Sequence, residues 1–218
     1  MMSKIKKIAK KILARLYRIR LKNRDFSILA NNCWGGAVYD KYALQYRTPT
    51  IGLWFAPKDF LKFLSKPEYY LAQELKQISY LDSHVRDTVI ERKKSGRYRM
   101  ELDDLVIGRL DDVDMVFLHY TDFQTAKEKW NRRRERLNFD NLIVKMNDSN
   151  DCTEKEMLDF LAMDYKHKIF ITAKPEWAKY ENTILIREYE KDGYVVNDAI
   201  RGIVPLNTTK YLNDMLND

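Results

Sequence analysis

The sequence predicts an α/β fold with a mainly parallel sheet and helices on both of its faces, as in Rossmann-like proteins. Short apolar runs typical of buried strands alternate with segments of helical periodicity, and no linker or repeat divides the body of the chain. We expect a basic amphipathic leader helix over residues 1–24 and a single α/β domain over residues 25–218. The expected strands are residues 26–30, 50–55, 113–119, 142–146, 168–172 and 183–186.

Helix signals fall between these apolar runs. Pro57 suits the first turn of a helix, Asp122 suits an N-cap, and Thr153 with Glu156 has the spacing of a capping box. Residues 82–104 are dense in charged side chains. We expect that segment to be a charged insertion, with a surface helix followed by a strand or hairpin.

The leader carries one apolar stripe, because isoleucine and leucine recur at steps of three and four residues from Ile5 to Ile19. Such a helix can lie on an anionic membrane, and a protein surface would suit it equally well. No segment is long and apolar enough to span a bilayer, so we expect a cytoplasmic protein held peripherally on the inner face of the membrane. The cations expected to face the lipid include Lys4, Lys7, Lys11, Arg15 and Arg18.

The positive charge belongs to one end of the chain. The net charge is +7, but residues 1–24 alone carry +10, so the remainder carries −3. A nucleic-acid-binding body would need its positive face on the folded domain, and nucleic acid is therefore an unlikely partner. Two cysteines make no disulfide framework, which agrees with a reducing cytoplasm. The histidines and cysteines show no metal-ligand spacing, so no metal site is expected.

The most informative stretch is Asn31-Asn32-Cys33-Trp34-Gly35-Gly36, which follows the first strand and precedes a helix. A strand end, a tight turn and a helix start direct backbone N–H groups toward an anion or an oxyanion. A thiol there would lie in a field that favours thiolate. The alternative is an ordinary tight turn with a small buried cysteine.

Ligands of parallel sheets bind beyond the carboxyl ends of the strands. That rule selects, in chain order, Asn31, Asn32 and Cys33, then His119 and Tyr120, then Asn147 and Asp148, and then Thr172 and Lys174. Cys33, His119 and Asp148 thus come from three separate segments. A thiol, an imidazole and a carboxylate are the set needed for acyl transfer. We therefore expect Cys33 to be the nucleophile, His119 the base and Asp148 its orienting partner. The oxyanion donors would be Asn32 and Gly35.

The same edge would serve a nucleotide-sugar site equally well. In that alternative, glycosyl or phosphosugar transfer, the cations expected to face a diphosphate are Arg132, Arg133 and Lys174. The remaining residues expected to bind substrate are Asn31, Trp34, Gly36 and Tyr120. A third alternative is a non-catalytic, saccharide-binding subunit of an assembly complex.

A set of motifs resembles one bacterial family over roughly residues 25–205. The motifs are the Asn31–Gly36 stretch, Thr48-Pro49-Thr50-x-Gly52-Leu53, Phe117-Leu118-His119-Tyr120, Lys129-Trp130-x-Arg132-Arg133-x-x-Arg136 and Asp140-Asn141-Leu142. Members of that family are exopolysaccharide biosynthesis proteins of capsule and O-antigen gene clusters. The resemblance implies an α/β fold and a role in surface polysaccharide biosynthesis.

The Asn-Cys turn is also remotely similar to the start of capsule-linked acetyltransferases with a hydrolase-like α/β fold, in which a glutamine follows the cysteine. Here Trp34 follows it. Together these observations favour a transferase that acylates a saccharide or lipid-linked saccharide. Its donor would be an acyl-coenzyme A, a class that the chemistry requires and that no motif in the sequence identifies.

Overall fold

The computed structural model describes residues 2–199 and 203–215, with the side chains of residues 2–8 and 10 outside the described part. It is a mixed α/β structure with a four-stranded parallel sheet and a three-stranded antiparallel sheet. Its helices are α1 Met2–Ile19, α2 Trp34–Lys41, α3 Pro57–Ser65, α4 Pro67–Ala72, α5 Arg86–Lys94, α6 Phe123–Arg134, α7 Glu154–Ala162 and α8 Thr208–Met215. Its strands are β1 Ser27–Ala30, β2 Lys76–Ile78, β3 Val106–Leu110, β4 Val113–Phe117, β5 Leu142–Asn147, β6 His167–Thr172 and β7 Thr183–Leu185.

The parallel sheet has the order β1-β5-β6-β7, and these four strands are the ones predicted near 26–30, 142–146, 168–172 and 183–186. Successive residues of a strand point to opposite faces. In β5, Val144 and Met146 therefore enter a core with α3 and α7, whereas Ile143 enters a core with α2 and α8. Helices cover both faces of this sheet.

The prediction that residues 113–119 belong to the parallel sheet is wrong. That segment forms β4, which pairs antiparallel with β3 in the second sheet. The cause is the two-residue turn Asp111-Asp112, in which Asp111 has φ +53°. Two residues can close an antiparallel hairpin, but a parallel pair needs a long crossover.

The predicted strand at residues 50–55 is also wrong as a sheet strand, because only Trp54 forms an isolated bridge, to Val116 of β4. This segment ties the two sheets together. The amide of Phe55 donates to the carbonyl of Asn31 at the end of β1 (3.0 Å), and the amide of His119 donates to the carbonyl of Gly52 (3.1 Å). The loops after β1 and β4 therefore meet at one place, although their strands belong to different sheets.

The predicted helix signals are confirmed. Pro57 is in the first turn of α3, Asp122 caps α6 through the amide of Thr125, and Thr153 with Glu156 forms a reciprocal capping box on α7. The charged insertion contains the expected surface helix, α5. No strand is described within its remaining residues 95–104, and the next strand, β3, begins at Val106.

Helix α1 touches the body through one side. Ala14 is buried, and the ring of Tyr17 packs edge-on against Tyr42. Among the described residues, no helix combines the length and the apolar character that crossing a bilayer requires.

Candidate functional site

A buried polar cluster lies at the carboxyl edge of the parallel sheet. The name covers Asn31, Asn32, Lys145, Asn147 and Asp198. Lys145 and Asp198 form an ion pair, and neither side chain is more than 1 % exposed. Two amide groups complete the carboxylate's partners, because Nδ2 of Asn32 donates to Oδ1 of Asp198 (2.8 Å) and Nδ2 of Asn147 donates to Oδ2 (3.0 Å).

Further hydrogen bonds connect the cluster to the turn after β1. Nζ of Lys145 donates to Oδ1 of Asn32 (3.1 Å), and Nδ2 of Asn31 donates to Oδ1 of Asn147 (3.0 Å). The side-chain acceptor of Asn31, Oδ1, is buried and has no partner among the described residues. An acceptor in this state is available to a ligand hydroxyl.

The charge pair is expensive to bury. Lys145 lies on the α2 and α8 face of the sheet, opposite the small Ala30 of β1. Burial lowers the pKa of the Lys145 ammonium, and Asp198 opposes that shift. Desolvation of two charges can cost more than their attraction returns. Such groups cluster at functional sites, which makes this edge the candidate site.

Cys33 lies at the rim of the cluster, as the residue before α2, and is partly buried. Burial, followed by the charge of Asp198, raises the pKa of its thiol from 9.0 to about 11, while Lys145 and the amide of Gly52 oppose that shift. The prediction of a field favouring thiolate is therefore wrong. A shift of this size is worth roughly 3 kcal/mol, more than the roughly 0.3–1 kcal/mol of a helix terminus.

His119 is exposed and flanks Gly52 from the β4 side. A Cβ atom placed on Gly52 would lie 3.2 Å from Cβ of His119, and Gly52 has φ +73°. The sulfur of Cys33 accepts a hydrogen bond from the amide of this same glycine. No hydrogen bond of the His119 imidazole is found within residues 2–199 and 203–215, so the structure brings the thiol and the imidazole to one glycine without joining them.

Asp148 is engaged elsewhere. Its carboxylate accepts from Oγ1 of Thr172 (2.7 Å), the amide of Ala173 (2.7 Å) and the amide of Val195 (2.6 Å). Burial raises the pKa of this carboxyl, and the three hydrogen bonds oppose the rise. In the described part of the chain no bond joins it to His119. Asp148 instead holds the loop that carries Asp198, three residues beyond Val195.

The glycines of the turn pack α2 onto its neighbours. A Cβ on Gly35 would lie 3.2 Å from Cγ2 of Ile28 in β1, and one on Gly36 would meet Ile51 at 3.6 Å. Trp34 is buried and lines an apolar groove between α1 and α2. Asn32 uses its amide on Asp198, so its side chain is not free to serve as an oxyanion donor.

The cations expected at a diphosphate lie in different places. Nη1 of Arg133 donates to the Tyr120 hydroxyl (2.6 Å), which donates to the Ile51 carbonyl (2.6 Å), so this pair braces the loop beside Gly52. Arg132 is exposed on α6. Lys174 differs, because it lines a cleft of about 360 Å³ at the ends of β5 and β6.

Lys145 and Asp198 were not among the residues selected from the sequence. Lys145 carried a readable signal, since it is a lysine inside an otherwise apolar strand. Asp198 carried none, because it reaches Lys145 from a loop 53 residues away.

A family model and a bacterial protein both match most of this chain. The family model described as "Domain of unknown function (DUF1919)" matches residues 4–216, a range that takes in most of α1. A protein of Haemophilus influenzae described as "Uncharacterized protein" is 28% identical over 193 residues, which is 88% of this chain and 83% of that protein. Because the family model covers nearly the whole sequence, the chain belongs to the DUF1919 family.

Proposed function

We propose that this chain is a transferase of surface polysaccharide biosynthesis that modifies a saccharide at the carboxyl edge of its parallel sheet. The buried polar cluster carries the proposal. Its amides and its charge pair hold the unpartnered Oδ1 atom of Asn31 in place before any ligand arrives, and a saccharide hydroxyl needs such a preorganised acceptor. The motif resemblance to exopolysaccharide biosynthesis proteins supports the same pathway.

Acyl transfer is the favoured reaction. In the first half, the Cys33 sulfur attacks the acyl carbon of an acyl-coenzyme A, and coenzyme A leaves with the thiol proton, carried by His119. In the second half, a sugar hydroxyl attacks the acyl group on Cys33 and gives its proton to His119, which returns it to the thiol. Because the pKa of Cys33 is raised to about 11, the thiol needs this base.

Glycosyl or phosphosugar transfer is the second candidate. Lys174 favours it, because this lysine lies at a cleft that opens beside the cluster. In that reaction Cys33 would have no covalent role. The two candidates therefore differ in what loss of the thiol does.

The test uses a strain of the host bacterium in which this gene is deleted and then restored as Cys33→Ala or Cys33→Ser. Acyl transfer predicts that either variant lowers O-acylation of the polysaccharide by a factor on the order of 10³, with the sugar backbone intact in its NMR spectrum. Glycosyl transfer predicts a truncated repeat only when the whole gene is absent. Normal O-acylation with Cys33→Ser would remove the covalent role of the thiol.

We also propose that α1 holds the protein on the inner face of the bacterial membrane. Ile12, Leu16 and Ile19 are 55%, 53% and 73% exposed on the side of α1 that faces away from the body. Exposed Lys11, Arg15 and Arg18 flank this stripe, whereas the side chains of Lys4 and Lys7 lie outside the described residues. An apolar stripe edged by cations suits an anionic lipid surface.

Serine at Ile12, Leu16 and Ile19 together is expected to abolish sedimentation with phosphatidylglycerol vesicles, because each apolar side chain contributes about 1.5–3 kcal/mol on burial. A matched variant carries serine at three exposed apolar residues elsewhere, Leu81, Phe139 and Leu158. It should sediment like the parent protein. Equal sedimentation of both triple variants would contradict the membrane proposal.

A further inference from the structure

The cleft that contains Lys174 has features of an anion site that the polar cluster does not explain. It lies between α5 and the ends of β5 and β6 and has a volume of about 360 Å³. We call it the cationic cleft and define it by Arg92, Arg97, Asn150, Lys174 and Tyr194. A ligand pocket for a molecule of nucleotide size falls in this range of volumes.

None of its three cations forms an ion pair within the described residues, and each lies against an aromatic ring. The guanidinium of Arg92 lies 4.5 Å from the ring centre of Trp54, and that of Arg97 lies 4.6 Å from Tyr194. A ring contact uses the flat face of a guanidinium and leaves its in-plane N–H groups for other partners, one of which on Arg92 is the hydroxyl of Tyr98. Nζ of Lys174 lies 3.8 Å from the ring centre of Trp177.

The carboxylates at the cleft are already engaged. Glu91 pairs with Lys94 (2.8 Å), Asp151 accepts from the Thr88 hydroxyl (3.5 Å), and Asp148 has the three donors described above. The pKa of Arg97 is lowered, by its own burial first and then by repulsion from Arg92, while the charges of Asp192 and Asp151 oppose that shift. Like charges at close range are stabilised by an anion between them.

Asn150 adds an independent observation. It is only 9% exposed, lines the cleft, and donates from Nδ2 to the carbonyl of Phe55 (3.3 Å). Its Oδ1 atom has no partner among the described residues. Phosphate oxygens are acceptors at neutral pH, so this atom needs a ligand hydroxyl. The cleft is therefore suited to a ligand that carries both phosphate groups and a hydroxyl.

We infer that the cationic cleft binds the diphosphate and an adjacent sugar hydroxyl of a nucleoside-diphosphate donor. Arg92, Arg97 and Lys174 bind the phosphates, and Oδ1 of Asn150 accepts from the hydroxyl. Nucleotide sugars and coenzyme A share this chemistry. Calling the ligand a donor rests on the proposed transferase function, whereas the binding itself does not.

The cleft and the polar cluster share a short segment of the chain. Asn147 belongs to the cluster and Asn150 to the cleft, and Ser149 between them donates from Oγ to Oδ1 of Asn147 (2.6 Å). Asp148 lines the cleft while holding the loop of Asp198. A donor in the cleft would thus lie beside an acceptor at the cluster.

Isothermal titration of the full-length protein with UDP, ADP, coenzyme A and pyrophosphate tests the inference. At least one nucleoside diphosphate should bind more tightly than pyrophosphate, and Arg97→Gln should weaken it about tenfold through loss of a charge-assisted contact. Arg86→Gln removes the same charge from the start of α5, outside the cleft, and should change affinity less than twofold. Preference for UDP identifies a nucleotide-sugar donor, and preference for coenzyme A identifies an acyl donor.

Two results would overturn the inference. One is no binding of any nucleoside diphosphate, and the other is equal weakening by Arg97→Gln and Arg86→Gln. Pyrophosphate bound as tightly as the nucleotides would overturn the hydroxyl contact to Asn150. None of these results changes the outcome of the polysaccharide test. Failure of this inference and failure of the proposed function can therefore be told apart.

Discussion

Replacing Lys145 with methionine is expected to lower the free energy of unfolding by about 3–5 kcal/mol. The substitution leaves the Asp198 carboxylate almost fully buried, with only the two amides of Asn32 and Asn147 as donors. An unpaired buried charge is among the most costly defects in a folded protein. Urea unfolding followed by circular dichroism measures the loss.

Two comparisons make this prediction specific. The double variant Lys145→Met with Asp198→Asn leaves no charge in the buried polar cluster and should recover most of the lost stability, because the pair is coupled. Lys155→Met removes a lysine whose ion pair to Asp159 has an N–O distance of 2.6 Å but is exposed, and it should leave stability nearly unchanged. A double variant as unstable as the sum of its single variants would contradict the buried pair.

Asp148→Asn is expected to cost about 2–3 kcal/mol, because its carboxylate accepts from three donors. Asparagine offers one acceptor oxygen and turns an NH₂ group toward a donor. The loop that carries Asp198 should loosen as a consequence, which faster hydrogen exchange at the Val195 amide would reveal.

The matched control for this variant is Asp151→Asn, which changes an exposed aspartate three positions further along the chain. It should stay within about 0.5 kcal/mol of the parent protein. Unchanged stability and unchanged exchange at Val195 in Asp148→Asn would show that Asp148 does not position the loop.

Local sequence patterns correctly predicted the strands and helix caps that depend mainly on residues close together in the chain. β1, β5 and β6 follow from short apolar runs, and the cap of α7 follows from the spacing of Thr153 and Glu156. The second sheet could not be predicted in this way. Gly108 and Arg109 interrupt the apolar pattern of β3, so the hairpin partner of β4 was not recognised, and β4 was assigned to the wrong sheet.

The site was predicted in part for the same reason. The strand-end rule found Asn31 and Asn32, because it depends only on where β1 ends. It could not find Asp198, whose place depends on a loop that Asp148 and Lys145 hold through long-range contacts. The same rule selected Asp148 as the orienting partner of His119. The sequence could not show that this carboxylate is already hydrogen-bonded, since one of its donors, the amide of Val195, lies 47 residues away.

We propose above that this protein adds a group to a surface saccharide. The most direct test is the NMR spectrum of the surface polysaccharide from a strain that lacks the gene. We expect a polysaccharide that has lost one substituent or one residue of its repeat, and we expect its structure to be restored when the gene is returned. A polysaccharide of unchanged structure, whether normal or reduced in amount, would contradict a transferase and leave the role of a binding subunit.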